Sequence, residues 1–382
     1  MIKIEFNNKK MKRFRSLVNK ISVNIESILS HGYAGNRRTI TVSEAKLLYE
    51  KCDDDGKVVF DASVDVEDWK NKPENEKILA PVLVLDADSR NYLAFLVADN
   101  KKEFNNLIWG PASKIDSLID TYEKKFPILK SDKIIPNAQQ RSVLYHVLSN
   151  IFVDNGYNVL KEKGRFYVAT GVKVCPYCNR IPIRPFTKDK TTHVTGQLDH
   201  FYSKTIYPYL AMTRENLVPS CSICNGEGGK LDTDYYGSGL VNPYTLSDSN
   251  QFIFEVDYSV EGTIDVNHFS KILKIGFLYP GPYSDLRKNC EVFNWEQFYN
   301  QEESRKKAVA TVINAILYAS EPYKAQSINI LQGTVTERPE EVFYRINQVF
   351  PFEKDYAKYP NSKFVVDIFR CVLKRNGVDW PF

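Results

Sequence analysis

Two closely spaced cysteine pairs constrain this chain more than anything else in it. "CPYC" occupies residues 175–178 and "CSIC" residues 221–224, so four of only seven cysteines fall in one short stretch of a 382-residue sequence. Each CxxC can clasp one edge of a metal ion from a tight turn. Cys175, Cys178, Cys221 and Cys224 together complete a tetrahedral four-thiolate site, for which Zn2+ is the expected ion. The opening segment "MIKIEFNNKKMKRFR" lacks the apolar centre of a secretory signal. No run reaches the roughly eighteen apolar residues needed to span a bilayer. The expected setting is therefore cytoplasmic, with no membrane partner, and there close cysteines act as metal ligands rather than disulfides. A closed four-cysteine zinc site organises a fold but offers no open position to a substrate, so chemistry has to be sought beside it.

The stretch between the pairs supplies candidates. "GQLDHFY" at 196–202 alternates as a strand, which puts Asp199 and His200 on opposite sides, one toward a metal and one toward solvent or substrate. "ENLVPSC" at 215–221 is expected to form a second short strand containing Asn216, and "CSICN" to enter a short helix carrying Asn225. Strand, loop, strand and helix follow in order. One cysteine knuckle feeds the first strand and the other pins the strand–helix junction.

The combination "CPYC…LDHF…NLVPSCSICN…K" resembles the HNH endonucleases of the zinc-stapled ββα-metal kind over about residues 171–232. The resemblance implies that His200 is the general base acting on water. It implies that Asp199 and Asn225 bind a catalytic cation, with Asn225 where many members carry His, and that Asn216 orients the His200 region. Imidazole suits activation of water near neutral pH. A carboxylate, an amide oxygen and waters form a hard-oxygen set suited to Mg2+ or Mn2+. The sequence departs from the family at Lys230, which lies beyond Gly226, Gly228 and Gly229 rather than one helical turn after the last motif residue. Either a phosphate contact or plain solvation is open to it. "GEGGK" is no P-loop: Cys224 stands where the first glycine belongs, and Leu231 where Ser or Thr should follow.

The remainder is ordinary globular material, 43% hydrophobic and 26% charged with a net charge of +4, compatible with nucleic acid without requiring it. The expected fold class is α+β, a small zinc-stapled ββα-metal module between an N-terminal α+β region and a mainly helical C-terminal region. Its divisions are the N-terminal region at 1–135, a helical connector at 136–170, the module at 171–245 and the C-terminal region at 246–382. Leu17, Val18, Ile21, Val23, Ile25, Ile28 and Leu29 give a helical face whose basic start, Lys9 to Lys20, is expected to be solvated, with a phosphate-contacting patch as the sharper alternative. Apolar runs at 78–85 and 92–98 around "DADSRN" have the pattern of a β-hairpin. Helices are expected at 136–152, at 294–320 (one long helix or two) and at 361–377, the last stopping at Gly377, and a strand at 252–260. His31, His146, His193 and His268 are isolated or loop histidines, and Cys52, Cys290 and Cys371 have no partner at ligand spacing. Arg180, Arg184, Lys188 and Lys190 are candidates for lining a backbone groove.

Two functions follow. One is a metal-dependent endonuclease cutting DNA (RNA stays open), similar in architecture to nucleases of bacterial anti-phage defence that work beside a separate ATPase. One such site cuts one strand, so a homodimer or two nicks would be needed for double-strand cleavage. The other is a catalytically inert, zinc-organised nucleic-acid-binding or scaffold protein.

Overall fold

A computed structural model describes residues 1–50, 69–160, 163–188, 191–227, 229–246, 252–257, 273–279, 285–301 and 351–375, with isolated positions between them. Helix α1 (Lys12–His31) buries Phe14, Val18, Ile21, Ile25 and Ile28, the spacing that one helical face demands, and ends at Gly32, whose φ of 72° only glycine adopts freely. Strand β1 (Tyr33–Thr41) and helix α2 (Val42–Glu50) follow. Strand β2 (Lys77–Val84) returns antiparallel to β1, Tyr33 opposite Val84 and Thr41 opposite Lys77.

The expected hairpin over 78–98 is not formed. Its first half is β2, but the second half begins helix α3 (Ala87–Trp109), which is interrupted at Ala98–Lys101. The "DADS" residues cap a helix instead of making a turn. The Asp86 carboxylate accepts from the backbone N–H and hydroxyl of Ser89 at 2.9 and 2.5 Å. Tyr92, Leu93 and Leu96 then lie on the buried face of that helix, and β2 takes its partner from upstream.

Helices α4 (Ile115–Lys125) and α5 (Pro127–Lys133) lead to α6 (Val143–Leu148). The single helix expected at 136–152 is broken up. A 3-10 turn at Ala138–Gln140 precedes Ser142, which caps α6, and from Ser149 to Tyr157 the chain widens into a π-helix. Helix α7 (Lys163–Thr170) precedes the hairpin β3 (Pro185–Lys188) and β4 (Thr191–Val194). Then come β5 (Gln197–His200), β6 (Leu217–Ser220) and the one-turn helix α8 (Ser222–Asn225), the strand–loop–strand–helix order read from the sequence. Beyond them, β7 (Ile253–Asp257) pairs with β8 (Lys274–Leu278), followed by α9 (Asp285–Val292), α10 (Trp295–Gln301) and α11 (Ser362–Arg375). The α11 helix stops before Gly377, whose φ is 69°. The rest of the helix expected at 294–320 lies largely outside the described residues. So do the strand end at 258–260, His268 and Lys190.

The described chain is thus α+β, built from helices and two-stranded antiparallel sheets. One apolar core includes Met1, Phe14, Tyr92, Tyr177, the four paired cysteines, Trp295 and Val372, while Ile40, Val42, Trp69 and Ala80 belong to a second, smaller core around β1, α2 and β2. Among the described residues no helix is long and apolar enough to cross a membrane.

Candidate active site and cysteine cluster

Cys175, Cys178, Cys221 and Cys224 come together with their sulfurs all within 4.8 Å of one another, each buried. An ideal zinc–thiolate tetrahedron spaces its sulfurs by about 3.8 Å, so the cluster fits a structural Zn2+. Burial pushes the Cys175 thiol up, and four thiolates packed in apolar surroundings need a cation to stay ionised. The backbone N–H groups of Arg180 and Cys224 point at the sulfurs of Cys178 and Cys221 at 3.4 Å. The first knuckle is wrapped by distant chain. Ile2 donates to the Pro176 carbonyl at 2.8 Å and the Tyr299 hydroxyl to that of Cys178 at 2.7 Å. Asn179, at a φ of 51°, bonds the Tyr356 carbonyl and the Lys363 N–H, each at 3.0 Å.

Strand β5 stands beside the cluster, antiparallel to β6, with Asp199 opposite Val218 and His200 opposite Leu217. Hydroxyls from other elements also bond its carbonyls: Tyr167 donates to that of Gln197 and Tyr157 to that of Leu198 at 3.0 Å. Asp199 and His200 have separate partners, as alternation along a strand requires. Neither faces solvent, however. Asp199 is 4% exposed and His200 7%, because the loop from Phe201 to Asn216 folds back over the strand. Asn216 holds that loop closed from the turn just before β6, one position short of the strand expected to contain it. Its side chain accepts from Tyr202 N at 2.7 Å and donates to the carbonyls of Tyr202 and Leu210, each at 3.0 Å.

The pinned loop delivers the Ala211 carbonyl to His200 Nε2 at 3.1 Å. A carbonyl only accepts, so Nε2 carries the proton and Nδ1 keeps a bare lone pair. The Tyr157 ring packs against the imidazole, 4.3 Å between centroids. Burial, and then the nearby Lys204 charge, push the His200 pKa down to about 3. Lys204 Nζ lies 5.4 Å from the Tyr157 ring centroid, and Lys163 Nζ, from the first position of α7, lies 4.0 Å from the same centroid.

On the other side, Asp199 Oδ2 accepts from the Tyr177 hydroxyl at 2.6 Å, and Oδ1 lies 3.4 Å from Lys230 Nζ. Lys230 also donates to the His200 carbonyl at 2.7 Å and is 1% exposed. It is thus neither a phosphate contact nor a solvated lysine, the two roles the sequence allowed. Asn225, on the last residue of α8, donates its amide N–H to Gln197 Oε1 at 2.7 Å. Gln197 and Asp199 share one face of β5, so Asn225 reaches the Asp199 side of the strand and not the His200 side. As placed, these residues do not present an open hard-oxygen set to Mg2+ or Mn2+, because an ammonium already neutralises the carboxylate.

Sequence reasoning missed Tyr177, Tyr157, Lys163 and Lys204. Tyr177 lies inside "CPYC" itself, but nothing in that spacing foretells its bond to Asp199. The other three come from outside the motif or from its variable loop. His193 stacks on Phe186 within the β3–β4 hairpin, exposed and away from His200.

No family model matches the chain, and no solved structure matches it. Over 91 residues it is 32% identical to Septu protein PtuB of Bacillus thuringiensis, a likeness that covers 22% of this chain and 34% of that protein. The chain therefore spans about a third of the length of the curated relative it matches.

Proposed function

We propose that this chain is an HNH-type endonuclease that hydrolyses phosphodiester bonds in DNA, in an anti-phage defence setting, with His200 as the general base. The observation that carries this is the fixed tautomer of His200. With Nε2–H committed to Ala211, the bare Nδ1 is the atom able to take a proton from water. A ring whose pKa sits near 3 is neutral but weakly basic. A phosphate arriving beside it favours the imidazolium and raises its basicity when it is needed. Asn216 acts at one remove, by holding the loop that supplies Ala211. A divalent cation would neutralise charge on the phosphate and the departing oxygen. With Asp199 bound to Tyr177 and Lys230, no step is assigned to it. The short likeness to Septu protein PtuB supports the defence setting, and the cysteine cluster supports a zinc-held scaffold. A partner ATPase and a second copy of the chain belong to the same reading.

A second reading, an inert zinc-organised binding or scaffold protein, is favoured by one specific observation: both Asp199 and His200 are buried and Asp199 is already paired. Plasmid cleavage by the purified chain with Mg2+, Mn2+ or EDTA separates the two, with His200→Ala alongside and zinc measured in both proteins. Cation-dependent cutting that vanishes in the variant, with about one zinc per chain retained in both, is the expected result. Equal activity in His200→Ala removes His200 from the mechanism. No cutting of DNA or RNA by either protein, zinc still bound, favours the scaffold.

A further inference from the structure

We propose that Lys163 and Lys204 form a clamp for a nucleic-acid backbone phosphate, held over the face of Tyr157 beside His200. This deepens the nuclease proposal and rests on it for the identity of the ligand.

Both ammonium groups converge on one aromatic ring, at 4.0 and 5.4 Å from its centroid, and that ring lies 4.3 Å from the His200 imidazole. The two lysines come from unrelated places: Lys163 opens α7, while Lys204 belongs to the loop between β5 and β6. Both are half-buried, and among the described residues neither has a carboxylate partner. The crowding is felt, since burial and then the Lys204 charge push the Lys163 pKa down. Like charges brought together without a counterion cost stability. Nothing in the packing asks for two cations here, because the ring is already fixed by its hydroxyl on Leu198. A tetrahedral dianion or a diester phosphate accepts from two ammonium groups at once, relieves the repulsion and lies next to the His200 imidazole. The surroundings suit a strand rather than a small anion. A cleft of about 960 Å³ is lined by Lys20 and Asn24 of α1, by Asn150 and Asn155, and by Leu160, three positions before Lys163. Such a polar trough has room for a nucleic-acid backbone leaving the clamp.

The test is fluorescence anisotropy with the full chain in EDTA, so that binding is read without cleavage. The probes are a fluorescein-labelled DNA duplex and an RNA of the same sequence, each over a salt series. Lys163→Gln and Lys204→Gln should each weaken binding by about tenfold at low salt. Each should also flatten the plot of log affinity against log salt by about one unit, the loss of one phosphate contact. Lys163→Arg and Lys204→Arg keep the charge and should stay near wild type, which separates charge from any effect of the substitutions on folding. Zinc content and the unfolding midpoint serve as folding checks. If the double glutamine variant binds both probes with the wild-type slope, or if the wild type binds neither probe, the clamp is wrong. If the lysines govern binding but the wild type never cuts, the nuclease proposal fails and the phosphate clamp stands.

Discussion

Lys230 Nζ lies 3.4 Å from Asp199 Oδ1 across a gap of 31 residues, and both side chains are buried. The ammonium also takes the His200 carbonyl, so one lysine ties together the carboxylate, the strand and the loop after α8. Removing it leaves a buried carboxylate with only Tyr177 for company. Lys230→Met should cost about 3–5 kcal/mol, the usual penalty for stranding one member of a buried pair. Tyr177→Phe, which deletes a single donor, should cost about 1–3 kcal/mol. Chemical denaturation of the zinc-loaded proteins measures both, and equal, negligible losses would show that Asp199 is not held this way.

Asn216 is fully buried and satisfies three backbone groups of one loop. Asn216→Ala leaves them without partners and frees the Ala211 carbonyl from its place. We expect a loss of about 3 kcal/mol in unfolding free energy, together with faster hydrogen exchange confined to residues 202–211. Exchange unchanged in that segment would count against the pinning role.

Zinc should follow the paired cysteines alone. Cys221→Ser should drop bound zinc well below the expected value of about one per chain and lower the melting temperature. Cys290→Ser, at a buried position outside the cluster, should leave zinc content unchanged. Elemental analysis after gel filtration distinguishes the two.

Gly164 has no room for a side chain. A Cβ there would lie 2.8 Å from the Thr192 carbonyl oxygen and 2.9 Å from that of His193, both backbone atoms that cannot yield cheaply. Gly164→Ala should therefore prise α7 from β4, at a cost of about 1–3 kcal/mol. Because Lys163 precedes it, binding of labelled DNA should weaken as well, although no charge has been removed. Unaltered stability would mean that α7 shifts freely.

How much of this was legible beforehand depends on range. The cysteine cluster was readable because two CxxC turns leave a metal site little freedom. The β5–β6–α8 order was readable because strand alternation and cap residues act locally. The 78–98 hairpin failed because Asp and Ser serve turns and helix caps equally well, and only the Asp86–Ser89 bonds decide between them. The break of the 136–152 helix into α6 and a π-helix follows from packing of Ile151, Phe152 and Tyr157 against the core, which no window of sequence contains. The surroundings of Asp199 and His200 were hidden for the same reason. Tyr177, Lys230, Tyr157 and Lys163 reach them through tertiary contacts, and a motif lists its own members without their neighbours.

The bonds from Asn179 to Tyr356 and Lys363 bear on the order of events during synthesis. A ribosome releases residue 179 long before residue 363, and domains tend to fold as their sequence emerges. The first cysteine knuckle therefore waits through a large part of translation before its last hydrogen bonds can form. A chain interrupted before α11 would carry all four cysteines and both Asp199 and His200, yet lack the Lys363 N–H that the Asn179 side chain accepts from.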